Sequence, residues 1–124
     1  MAAELHVALV AADREVWSGK ATLVVARTTT GDIGVMPGHQ PLLVVLESGP
    51  VTIRTSEGGT VVAAVHGGFI SFADNKLSLL AEIAELSDEI DVQRAERELE
   101  RAKAEGDATA ARRADVRLRA VAAR

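Results

Sequence analysis

The chain has 124 residues, 48% apolar but only 2% aromatic, with no cysteine and a formal net charge of −4. That length holds one ordinary domain, or one small domain with an appendage, and excludes a multidomain enzyme. The acidic balance gives no general attraction to phosphate backbones, so nucleic acid is not expected as a partner, and without cysteine neither a disulfide framework nor a thiolate zinc site is available.

The N-terminus lacks a basic segment followed by an apolar run, and the longest uncharged stretches, residues 33–46 and 60–73, carry Pro, Gly or His. Neither reaches the roughly 20 apolar residues that span a bilayer, so a soluble chain is expected, meeting a membrane only through a partner. Composition changes near Leu86. Residues 1–86 hold nine of the ten glycines, all three prolines and 14 charged side chains, whereas residues 87–124 hold one glycine and 18 charged side chains. The expected fold class is therefore α+β: an N-terminal antiparallel β-sandwich over residues 1–86 and a C-terminal antiparallel two-helix hairpin over 87–124.

In the first module, runs rich in β-branched residues predict strands at 5–10, 22–27, 33–36, 42–46, 51–55, 61–66, 69–72 and 77–81. Residues 56–59 and 74–76 read as hairpin loops, and Ser48-Gly49-Pro50 as a turn. Leu23-Val24-Val25-Ala26 and Leu42-Leu43-Val44-Val45-Leu46 are apolar on both alternations. Such strands need cover on two faces, from the opposing sheet and from the helices or another subunit. Between them, residues 31–42 read G-D-I-G-V-M-P-G-H-Q-P-L. Glycine tolerates positive φ there, while Pro37 and Pro41 fix their own φ and push Met36 and Gln40 towards extended geometry, giving a shaped loop.

Ser87 reads as the N-cap of a helix with Asp88 and Glu89 in its first turn, running to Glu105. Its apolar stripe is Val92, Ala95, Leu99 and Ala102, with Arg94–Glu98 and Arg101–Glu105 as i,i+4 pairs. Gly106-Asp107 breaks the chain, and Asp107 caps a second helix over 108–122 with the stripe Ala111, Ala114, Leu118 and Val121. Each stripe holds only two large apolar side chains, too few to secure a hairpin alone. The hairpin is expected to dock on the β module or on a partner, and near-balance between two docking surfaces is what a switch requires.

The loop motif over 31–42 resembles the signature of the epsilon-subunit family of bacterial F-type ATP synthases. Gly67-Gly68-Phe69, then Leu80-Ala81-Glu82-Ile83-Ala84-Glu85, then Glu89-Ile90-Asp91 resemble its later signature. The resemblance spans the whole chain. It implies a noncatalytic rotor part at the cytoplasmic face of the cell membrane, peripheral through its complex, that binds the gamma subunit, sits on the c ring and restrains ATP hydrolysis through its helices. The other reading is a freestanding small-molecule or nucleotide-binding sandwich with a sensing hairpin.

The resemblance assigns c-ring or gamma contact to Asp32, Gly38 and His39; the plainer reading makes Asp32 a turn residue and His39 a loop stabiliser. Ile90-Asp91-Val92-Gln93-Arg94-Ala95 matches the motif with which some family members bind ATP as a regulatory ligand. Glu85, Ile90, Asp91, Arg94, Ala95 and Arg101 are accordingly its nucleotide candidates, against a solvated Asp91–Arg94 pair. Arg112, Arg113, Arg117, Arg119 and Arg124 form a basic face on the second helix. In the family such a face engages an acidic segment of the catalytic beta subunit; the alternative is docking on the acidic β module. His6, His39 and His66 are too scattered for a metal site, and no nucleophile–base set suggests catalysis. Trp17 reads as a sandwich-edge or interface anchor. No resident cofactor is expected.

Overall fold

In the computed structural model, which describes residues 3–124, the strands are β1 (Leu5–Ala11), β2 (Glu15–Thr28), β3 (Gly31–Val35), β4 (Leu42–Val45), β5 (Gly49–Thr55), β6 (Thr60–Ala73) and β7 (Lys76–Leu86). The helices α1 (Val92–Glu105) and α2 (Ala108–Ala123) follow. The strands close on themselves. β1 pairs with both β2 and β7, and the ladder runs β7-β6-β5-β2 back to β1, with β3 on β2 and β4 on β6. This closed β-sandwich is filled by alternating inward residues such as Leu5, Val7, Leu9, Val24, Ile53, Ile70, Phe72 and Leu79.

Four details differ from the expectation. β1 and β7 are parallel, because both start beside the β6–β7 turn, where His6 N–H donates to the Asn75 carbonyl at 2.8 Å. β2 begins at Glu15, seven residues before the predicted strand, since pairing with β1 recruits the polar stretch Ser18-Gly19-Lys20. Gly49 and Pro50 belong to β5. Pro50 is accommodated because β2 joins β5 only at Thr52 to Thr55, so no ladder needs its missing donor. Finally, 61–66 and 69–72 are one strand.

The join at Gly67-Gly68 shapes everything on the outer face. Residues Ala63 and Val65 face the core before it, and Ile70 and Phe72 after it, so the inward face of β6 switches from odd to even positions. β7 switches with it, from Leu77, Leu79 and Ala81 to Ala84 and Leu86. Gly68 has φ +125°, and a Cβ there would strike the Leu80 carbonyl oxygen and lie 2.8 Å from Ala81 Cα. Only glycine fits this crossing.

The helices cover one half of that outer face. α2 packs on β5 and β6, and α1 packs on α2. Val62 and Ala64 of β6 meet Ile90, Val116 and Ala120. Val116 and Ala120 lie off the predicted stripe, because α2 is sandwiched between α1 and the sheet and therefore buries two faces. Ser87 does not cap α1. It lies buried in a 3-10 turn, Ile90 anchors the chain in extended form, and the helix starts from Asp91, whose carboxylate accepts from Arg94 N–H at 3.1 Å. Asp107 caps α2 through Ala110 N–H, as expected.

Candidate functional site

Beyond Gly67-Gly68 the outer face of the sandwich is open and apolar. Val45, Phe69 and Leu80 stand opposite one another on β4, β6 and β7, 45%, 51% and 48% exposed, and Leu43, two residues along from Val45, is 71% exposed. Val10 of β1 extends the row beside Leu80. A contiguous row of large apolar side chains on a regular sheet is the kind of surface on which partners dock, unlike singly scattered surface hydrophobes. Its signal was the two-sided apolarity of residues 42–46; Phe69 and Leu80 carried no comparable mark.

Asp32, Gly38 and His39 fall in two places. The β2–β3 turn is made by Thr29 and Thr30, with the Thr28 hydroxyl donating to the Gly31 carbonyl at 2.7 Å, so Asp32 is not at its tip. It lies on β3 opposite Arg27, which it pairs at 3.3 Å, beside a cleft of about 490 Å³ that also takes in Glu47, Arg112, Asp115 and Arg119. Gly38 and His39 lie past the other end of β3. Gly38 N–H donates to Asn75 Oδ1 at 2.8 Å, His39 Nδ1 donates to the Gln40 carbonyl at 2.7 Å, and the imidazole packs edge-on to Phe72.

A smaller cleft, about 180 Å³, opens where α1 leaves the sandwich. Glu85, Ile90, Asp91, Arg94 and Ala95 line it together with Glu89, Glu98 and Arg117; Arg101 does not join them. Arg94 pairs with Glu98 at 2.9 Å, while Arg117 reaches Glu85 at 2.6 Å and Glu98 at 3.2 Å. Four carboxylates thus face two guanidiniums, and both guanidiniums are engaged. The expected Arg101–Glu105 pair is not among the ion pairs formed.

The basic face of α2 is divided in the same way. Arg117 is half-buried in the carboxylate cluster, Arg119 pairs with Asp115 at 3.0 Å, and Arg124 reaches Asp88 at 3.4 Å and the Ser87 carbonyl at 3.1 Å. Arg112 and Arg113 are exposed and form no ion pair among the described residues. They border a third cleft with His66, which is buried on the helix-covered part of β6. Burial pushes the His66 pKa down to about 4, with the Arg117 and Arg113 charges adding to the depression and Glu85 opposing it. Among the described residues no three His, Cys, Asp or Glu side chains cluster as a metal site, and no helix is long and apolar enough to cross a membrane.

Residues 4–87 match the family described as the beta-sandwich domain of the ATP synthase delta/epsilon chain. The ATP synthase epsilon chain of Streptomyces avermitilis is 91% identical over 124 residues, covering 100% of both chains, and that of Rhodococcus jostii is 50% identical over 120 residues, 96% of this chain and 97% of that one. Among solved structures, a chain of the Euglena gracilis mitochondrial ATP synthase OSCP/F1/c-ring assembly superposes with a TM-score of 0.76 at 21% identity, covering 96% of this chain and 78% of that chain. A chain of the Tetrahymena thermophila mitochondrial ATP synthase central stalk and c-ring gives 0.59 at 19% identity, covering 71% and 70%. At these identities the two structures establish the shared fold.

Proposed function

The chain belongs to the ATP synthase delta/epsilon family, and from that premise we propose that it is the central-stalk rotor subunit of a proton-translocating ATP synthase, linking gamma to the c ring. It is a noncatalytic part of ATP synthase. Its place is the cytoplasmic face of the cell membrane, held there through the complex. The observation that carries this reading is the open row of Leu43, Val45, Phe69 and Leu80, left bare although the helices cover the adjoining half of β6. That row suits the gamma subunit, and Gly38 and His39 border it at the Asn75 end of the sandwich. Asp32, at the opposite end, suits the polar loops of the c ring, where a rim carboxylate tunes association.

The helices supply restraint of hydrolysis. While α2 is docked, Arg117, Arg119 and Arg124 are occupied within the chain and only Arg112 and Arg113 are available. Lifting the hairpin off the sandwich frees Arg117 from Glu85, so the surface offered to an acidic segment of the catalytic beta subunit becomes more basic on release. The sandwich over 1–86 is the anchor and the hairpin over 87–124 the regulator. A chain ending at Ser87 tests this: the synthase should still assemble and should hydrolyse ATP faster. Unchanged hydrolysis would argue against restraint by the helices.

ATP as a regulatory ligand is a second reading, favoured by the cleft that collects Glu85, Ile90, Asp91, Arg94 and Ala95. A triphosphate there must draw Arg94 from Glu98 and Arg117 from two carboxylates. Affinity in the range of about 1 mM, near −4 kcal/mol, is therefore the expectation.

A further inference from the structure

His66 is 5% exposed beneath α2, and neither ring nitrogen has a hydrogen-bond partner among the described residues. Around it stand Arg112 and Arg113 from the first half of α2, Arg117 further along the same helix, and Glu82 and Glu85 from β7. The carboxylate of Glu85 is already taken by Arg117 at 2.6 Å. Ser48, Ala108 and Thr109 complete the surrounding cleft. A neutral imidazole is tolerated in this position. An imidazolium would be a desolvated cation with no acceptor bonded to either nitrogen, repelled by the guanidiniums of Arg117 and Arg113.

We propose that His66 makes docking of the helical hairpin proton-sensitive, so that acid drives α2 off β6. Lifting α2 exposes the ring to water and moves Arg113 and Arg117 away, which returns its affinity for a proton to the ordinary value. The direction follows from linkage. The ring's pKa is about 4 when docked and 6.5, its ordinary value, when released, so the docked state has its full advantage above 6.5 and loses it as pH falls from 6.5 towards 4. Between pH 7.5 and 5.0 the opening constant of the hairpin should rise about 30-fold. His6 and His39 lie at the Asn75 end of the sandwich, away from α2, and do not take part. The proposal rests on the packing of this chain alone and survives if the rotor assignment fails. Where that assignment holds, acidification strengthens the restraint on hydrolysis.

Native-state amide hydrogen exchange on the full chain tests it. After correction for intrinsic rates, α2 amides such as Val116 and Ala120 should open about 30-fold more at pH 5.0 than at pH 7.5, while Ile53 and Leu79 in the sandwich core change little. His66→Gln, neutral at every pH, should reduce the α2 response to less than about 3-fold. No rise in the unmodified chain, or an equal rise in H66Q, overturns the proposal. Should H66Q not fold, NMR titration of the imidazole in the unmodified chain decides: protonation accompanied by loss of α2–β6 contacts supports it, and protonation near pH 6.5 with those contacts intact overturns it.

Discussion

Leu43→Asp separates docking on the sandwich from stability of the sandwich. Leu43 is 71% exposed on β4, whose neighbours Leu42 and Val44 face the core, so the isolated chain should lose no more than about 1 kcal/mol. In a gamma interface the same change removes about 1–2 kcal/mol of apolar burial and adds about 2 kcal/mol for a carboxylate pressed against Val45 and Phe69. The sum, roughly 3–4 kcal/mol, weakens binding about 200- to 1,000-fold. Titrating a fluorescently labelled chain into a synthase core that contains gamma but lacks this subunit measures it, with denaturant unfolding of the free variant as the control. Binding within threefold of the unmodified chain, with the variant folded, would refute the assignment of this face to gamma.

Gly68→Ala should destabilise the sandwich by about 2–4 kcal/mol, read as a lower denaturation midpoint, because the new Cβ meets Leu80 and Ala81 backbone at φ +125°; a loss below 1 kcal/mol would contradict the crossing described. Val116→Ala removes two methyl groups from the contact with Val62 and Ala64 and should raise hairpin opening about tenfold by hydrogen exchange without changing sandwich-core amides. Equal acceleration in both would mean that the hairpin does not open as a unit. Isothermal titration should give heat with ATP at millimolar concentration, abolished by Arg94→Gln, and an unmodified chain silent at that concentration disposes of the nucleotide reading.

The sandwich-plus-hairpin architecture was legible because composition, turn chemistry and apolar periodicity agreed with one another on either side of Leu86. What escaped was set by tertiary contacts. Nothing local marks Gly67-Gly68 as a crossing instead of a break between strands, because the reason is the backbone of β7 at Leu80 and Ala81, passing Gly68 from 12 and 13 residues later in the chain. The second buried face of α2 was missed for the same kind of reason: Val116 and Ala120 are buried only because the sheet lies beneath them. Ser87 had the chemistry of a cap, yet Ile90 is drawn into the helix–sheet cluster and shifts the start to Asp91. Charge was the least readable property. Five arginines on one short segment look like one basic surface, but ion pairs with Glu85, Glu98, Asp115 and Asp88 engage three of them.

Whether this chain works as part of the rotor is read most directly from the proteins that accompany it. The chain, tagged at its C-terminus in its native cells, would be recovered from gently solubilised membranes and its companions quantified. Alpha, beta, gamma and c subunits should be recovered with it in stoichiometric amounts, as a rotor subunit requires. Recovery of the chain alone, from membranes in which the synthase is demonstrably intact, would contradict it.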